Sequence, residues 1–161
     1  LGSPEEDGLY NDGTAALKWL QDQGISFNKI IFYGESLGTA VAVNLANKFS
    51  ALCLILETPF SSLVETAQRK YWMFPAYWLV RDRFHSDKKI SSVDIPILIG
   101  HGAHDRVVPI DLSKKLYNLA KQPKKFILYP EAGHTNLEKF GWSQEVINFI
   151  ENTLKSSSKS H

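Results

Sequence analysis

Gly34-Glu35-Ser36-Leu37-Gly38 sets a serine between two glycines at the spacing G-x-S-x-G. An alcohol is a weak nucleophile until a neighbouring base takes its proton, so the serine must be held clear of its own backbone and facing that base. The run before it, Lys29–Tyr33, is apolar and rich in β-branched and aromatic residues. The run after it, Leu37–Lys48, is rich in small residues and reads as helix. A strand, a sharp turn at Ser36 and a helix are therefore expected, with the serine backbone strained. Side chains two positions before and after would collide with strand and helix, so glycine is expected to be required at both Gly34 and Gly38. The helix N-terminus favours developing negative charge, and the Leu37 backbone N–H is expected to act as one oxyanion donor.

A base and an acid follow at two later loops. His101-Gly-Ala-His104-Asp105-Arg-Val-Val-Pro109 comes after one apolar run, and Glu131-Ala-Gly133-His134 after the next. In the triad template His134 takes the Ser36 proton and returns it to the leaving group, while Asp105 fixes the imidazole tautomer and stabilises the imidazolium. Each has a plainer alternative. Asp105 could cap the following helix, and His134 could be a loop histidine bonded to backbone. Glu57 ends a strand near the same edge and could substitute as the acid. His101 and His104 flank Asp105 and are expected to have structural or solvent roles. A metal site from these three is conceivable, but no further ligand spacing supports it, and no metal or cofactor is expected.

The elements that must position these residues alternate. Helices are expected over Pro4–Gln23, Leu37–Lys48, Ile110–Lys121 and Gly141–Leu154, the first stopped by Gly24. Strands are expected over Lys29–Tyr33, Ala51–Glu57, Pro96–Gly100 and Lys125–Tyr129. Strands that are apolar throughout and alternate with helices predict an α/β fold, a parallel sheet of about four strands with helices on both faces. Strand C-terminal ends then converge on one edge, where such sheets place ligands. Residues 1–155 read as one domain and Ser156–His161 as a disordered polar tail.

Thr58–Asp94 breaks the rhythm, because it is far longer than the usual connection. It carries Tyr71, Trp72, Met73, Phe74, Tyr77, Trp78 and Phe84. Tyr71, Trp72, Phe74 and Trp78 are expected to form a lid or line a substrate pocket for an apolar acyl or aryl group. The alternative is a helical hairpin packed on the sheet. Arg81 and Arg83 are expected on its surface or in salt bridges.

Composition excludes several classes. The 161 residues are 43% hydrophobic and 12% aromatic, as expected of a packed domain. With 18 basic and 17 acidic residues and no basic stripe, nucleic acid is not an expected partner. Tyr71–Val80 is well short of the ~20 residues a membrane helix needs, so membrane contact is not expected. Cys53 sits in an apolar run and reads as a core residue, since a lone cysteine forms no internal disulfide. No leader segment is visible, and a cytoplasmic location is favoured.

GESLG, ETPFSSL at 57–63, RDRFHSDKKI at 81–90, IPILIGHGAHDRVVP at 95–109 and EAGHTNL at 131–137 together resemble the α/β-hydrolase superfamily. They are most similar to its abhydrolase-domain, serine-aminopeptidase-like and acyl-thioesterase-like branch. The chain order serine, aspartate, histidine agrees with that superfamily. The resemblance implies a serine hydrolase acting on an ester, thioester or amide through an acyl-serine. It also implies a fold of eight strands, of which about half would precede Gly2–Tyr10, together with a second oxyanion donor. The chain is thus expected to be the C-terminal part of such an enzyme, and the first residue, Leu1, fits that expectation. Its first strand would be an unpaired apolar edge, able to pair with another copy or with the preceding strands, and the chain alone would be weakly active or inactive. A non-catalytic dimerisation or association module derived from a hydrolase is the alternative.

Overall fold

A computed structural model describes residues 5–70 and 81–158. Among these residues four parallel strands, β1 (Ile31–Glu35), β2 (Cys53–Glu57), β3 (Ile97–Gly102) and β4 (Lys124–Tyr129), lie side by side in sequence order. Among the described residues five α-helices accompany them: α1 (Glu6–Asp22), α2 (Gly38–Lys48), α3 (Leu63–Lys70), α4 (Ile110–Leu119) and α5 (Trp142–Ser158). The α/β sheet with helices on both faces is thus as expected from sequence, with strand ends displaced by one or two residues.

Alternation along β2 shows why the sheet has three layers. Leu54 and Leu56 join Ile97 and Ile99 in a core with Leu17 of α1, Val43 of α2 and Leu116 of α4. Cys53 and Ile55 point the other way, into a second core with Leu98, Leu137 and Trp142 of α5. Successive side chains of a strand face opposite sides, so one apolar run feeds both cores. The central strands β2 and β3 are buried along their whole length, whereas β1 and β4 are only partly buried. Among the described residues β1 pairs with β2 alone.

Helix ends follow local chemistry with one departure. Glu6 and Asp7 sit in the first turn of α1, and Gly24 at φ 78° follows its end, as expected. α5 runs on to Ser158, past the expected end at Leu154 and into the segment read as a polar tail. Thr153, Ser156 and Ser157 donate their hydroxyls to carbonyls four residues back, so these polar residues are satisfied within the helix.

The two described ends of the long insertion are tied down. Leu63 N–H donates to Arg83 O at 2.9 Å and Asp87 N–H to Ser61 O at 3.0 Å. Phe84 is buried against Tyr10 in a third core with Ala40, Phe60, Val108 and Leu112, beneath the strand ends. Phe84 holds φ 46°, a left-handed backbone that persists only where surroundings enforce it. Glu6 enforces it: its carboxylate accepts the Arg83 and Phe84 N–H groups at 2.9 Å each and the Tyr10 hydroxyl at 2.8 Å. Arg81 pairs with Glu5 at 3.2 Å, the salt-bridge role expected of it. Tyr71, Trp72, Phe74 and Trp78, expected to form the lid or pocket, lie outside the described residues.

Burial alone would raise the Glu6 pKa, but the hydrogen bonds from Phe84, Tyr10 and Arg83 and the charge of Lys89 outweigh it, and the group is held below its ordinary value. A depressed carboxyl contributes stability that is complete above the unfolded-state value and fades as pH falls through the lower native one. Glu6→Gln is expected to cost about 1–2 kcal/mol at neutral pH. It should also reduce the steepness with which thermal stability declines below the ordinary Glu range. Melting temperatures of the two proteins from neutral to acidic pH check this, and parallel curves would refute it.

Candidate active site

The site is built at the C-terminal edge of the sheet. Ser36 leaves β1 with φ 49°, the strained turn expected of it. Its N–H donates to Glu57 O of β2 at 3.0 Å, and its carbonyl accepts the Thr39 N–H at 3.1 Å and the Thr39 hydroxyl at 2.5 Å. A Cβ on Gly34 would lie 2.4 Å from Gly38 O and 2.6 Å from Thr39 N, so glycine is required there. Gly38 is different. A Cβ on it would meet no atom within 4 Å, and its position opens on a groove beside β1 lined by Leu9, Tyr33, Val41 and Leu45. The expected clash at Gly38 is therefore corrected: only the strand-side glycine is locked by contacts among the described residues. Leu37 begins the first turn of α2, where N–H groups have no partner within the helix.

Asp105 and His134 arrive on two loops stitched together. His104 N–H donates to Ala132 O and Ala103 N–H to Tyr129 O, both at 2.9 Å. A Cβ on Gly102 would sit 2.3 Å from Ala132 O and 2.4 Å from Gly133 O. Gly102 thus permits the contact between the loops, a positional role that sequence reasoning missed, although the glycine after His101 was its signal. The Gly133 N–H donates to Asn136 Oδ1 at 2.7 Å and shapes the second loop.

Three side chains then meet in series. Asp105 Oδ1 accepts the Val107 and Val108 N–H groups at 2.8 and 2.9 Å, which fixes the carboxylate plane. Asp105 Oδ2 lies 2.8 Å from His134 Nδ1, and His134 Nε2 lies 3.0 Å from Ser36 Oγ. An anionic oxygen beside Nδ1 places the ring proton there and leaves Nε2 free to accept from a hydroxyl. Neither plainer alternative holds. Helix α4 starts at Ile110 with no side-chain cap, and both His134 ring nitrogens are engaged by side chains.

The remaining candidates fall elsewhere. The Glu57 carboxylate accepts the Tyr33 hydroxyl, which itself accepts the Trp142 indole N–H at 2.9 Å. Burial pushes the Glu57 carboxyl above its ordinary value despite the Tyr33 bond. His104 is exposed, whereas His101 is wholly buried behind Asp105. Among the described residues no group of three His, Cys, Asp or Glu side chains is disposed to hold a metal ion. Burial raises the Cys53 thiol to about 11, the behaviour of a core cysteine. No helix of the described residues is long and apolar enough to cross a membrane.

Comparison with known proteins places the chain. The prolyl oligopeptidase family model matches residues 5–157. A Mycobacterium tuberculosis protein, Rv2307c, is 39% identical over 138 residues, which cover 85% of this chain and 49% of that one. Lysophosphatidylserine lipase ABHD12 of Danio rerio is 37% identical over 144 residues, covering 76% of this chain and 37% of the lipase. The fold superposes on acetyl xylan esterase from Paenibacillus sp. R4 with a TM-score of 0.73 at 18% identity, over 89% of this chain and 52% of the esterase. The chain thus spans about half the length, or less, of these relatives. With a parallel sheet, a strained serine between strand and helix and a family match along nearly its whole length, the chain belongs to the prolyl oligopeptidase family within the α/β-hydrolase superfamily.

Proposed function

We propose that the protein containing this chain is a serine hydrolase that cleaves an ester, thioester or amide through an acyl-serine. The carrying observation is the unbroken series Asp105 Oδ2, His134 Nδ1, His134 Nε2 and Ser36 Oγ, with links of 2.8 and 3.0 Å. Ser36 attacks the carbonyl carbon while His134 Nε2 takes its proton. The tetrahedral oxygen is met by the Leu37 N–H at the α2 N-terminus. Collapse passes the proton from His134 to the leaving group, and water repeats the sequence on the acyl-serine. Asp105 stays ionised and holds the imidazolium. The family and the named relatives (a lipase and an esterase) support carbonyl hydrolysis without choosing among its substrates.

The partner proposed for β1 is another strand. Its edge carries a groove lined by Leu9, Ile31, Phe32, Tyr33, Val41 and Leu45, which suits strands of the full-length protein or a second copy. A fluorophosphonate probe tests the catalytic reading. Ser36 is expected to be labelled in the full-length protein and labelling to vanish in Ser36→Ala. This chain alone is expected to label about a hundredfold to a thousandfold more slowly, the usual effect of losing one oxyanion donor. A folded full-length protein that fails to label at Ser36 would favour the non-catalytic association module instead.

A further inference from the structure

Among the described residues His101 is a wholly buried titratable side chain that the catalytic series leaves unused. Its Nε2 lies 3.1 Å from Val108 O and 3.3 Å from Asp105 Oδ2, the same oxygen that faces His134 Nδ1. Its Nδ1 lies 2.6 Å from Ser113 Oγ on α4, and that hydroxyl lies 2.5 Å from Pro59 O. Both oxygens at Nε2 are acceptors, so Nε2 carries a proton and donates it to Val108 O, while the Ser113 hydroxyl beside Nδ1 donates to Pro59 O. Asp105 accordingly receives two backbone N–H groups on Oδ1 and the His134 imidazole N–H on Oδ2, while the His101 Nε2–H, donated to Val108 O, stands 3.3 Å from that same oxygen. Its side chain is 1% exposed, and no Lys or Arg pairs with it among the described residues. A buried carboxylate without a cation needs these donors, because water cannot supply them.

We propose that His101 is a positioning residue for the reaction, a second histidine that holds the Asp105 carboxylate in line with His134 and shares its charge. This rests on the catalytic reading of Ser36, His134 and Asp105. The ring is itself clamped by Ser113 and Pro59, so the network runs from α4 and the end of β2 through Asp105 to Ser36. Burial holds His101 below its ordinary value. The charges that act on it are Asp105, which raises it, and His134, which lowers it. The contributions of α4 and of the segment after β2, Ser113 and the Pro59 carbonyl, are uncharged.

Removing the His101 N–H concentrates the carboxylate charge on its remaining imidazole partner. The His134 imidazolium is then stabilised, and acylation of Ser36 requires a higher pH. The test combines Ser36 labelling rates with imidazole nitrogen NMR titrations on full-length wild type, His101→Leu, His101→Gln and Ser113→Ala. Wild type is expected to show His101 neutral and protonated at Nε2. In His101→Leu, labelling should slow by about tenfold to a hundredfold, the worth of one hydrogen bond to a charged group. Its acid limb should move up by about 0.5–1 pH unit, with His134 titrating in step. His101→Gln, which keeps an N–H donor on the side chain, should recover most of both. If His101→Leu does not fold, Ser113→Ala, which frees the ring, should shift His134 in the same direction by a smaller amount.

A folded His101→Leu protein with an unmoved His134 titration would overturn the proposal. So would a Gln variant no better than Leu, or an unshifted Ser113→Ala protein where that variant carries the test. Absence of labelling in wild type would instead defeat the catalytic reading, while the NMR coupling of His101 to His134 would still be measurable.

Discussion

Asp105→Asn is expected to slow acylation of Ser36 by about ten-thousandfold while the protein stays folded. The reason is specific to this loop. The Val107 and Val108 N–H groups both point at one carboxylate oxygen, at 2.8 and 2.9 Å, so an asparagine must place its carbonyl there. Its NH2 then faces His134 Nδ1 in place of Oδ2. A donor at that position selects the tautomer with the proton on Nε2, and that nitrogen can no longer accept from Ser36 Oγ, 3.0 Å away. Glu57→Gln should leave the rate nearly unchanged, since that carboxylate is bonded to Tyr33 rather than to the imidazole. Labelling rates of the two variants, with circular dichroism as the folding control, check the pair. A loss below about tenfold in folded Asp105→Asn would remove Asp105 from the acid role.

Gly34→Ala is expected to lower stability by about 3 kcal/mol or more, beyond the usual range for overpacking because every clashing atom is backbone. The new methyl would lie 2.4 Å from Gly38 O, 2.5 Å from Gly38 C and 2.6 Å from Thr39 N, and none of these can rotate away. Relief requires moving α2 off β1, which also moves Ser36. Gly38→Ala, by contrast, should fall within about 0.5 kcal/mol of wild type, because its methyl enters open space at a helix start. Urea unfolding of both variants measures the difference. Equal losses would mean that the groove beside β1 is filled in the folded protein, for example by a partner strand.

The candidate catalytic residues are legible in the sequence because their signals are local and ordered. G-x-S-x-G between a β-prone and a helix-prone run specifies its own turn, and the later loops at Asp105 and His134 each follow an apolar run. Two assignments could not be settled in this way. Gly38 was grouped with Gly34 because the motif treats them alike. Contacts separate them: Gly34 faces the backbone of α2, whereas Gly38 faces a groove at the sheet edge. His101 and His104 stand three residues apart with similar neighbours, yet one is wholly buried and the other exposed. Their difference depends on α4 returning Ser113 to His101 across 12 positions, which no periodicity encodes. Gly102 likewise shows its purpose only beside Ala132.

The end of α5 shows the reverse limit. Its last residues look like a solvated tail by composition, but serine hydroxyls can satisfy helix carbonyls, and the helix continues to Ser158. The sequence by itself determined the α/β class, the strand order along the chain and the serine, aspartate and histidine at the strand ends. Apolar period and turn chemistry are short-range properties. Only the tertiary structure decided which oxygen of Asp105 faces which imidazole, that Glu57 turns toward Tyr33, and that a second histidine stands behind the acid. Those depend on distances between residues far apart in the chain, set when both faces of the sheet are packed.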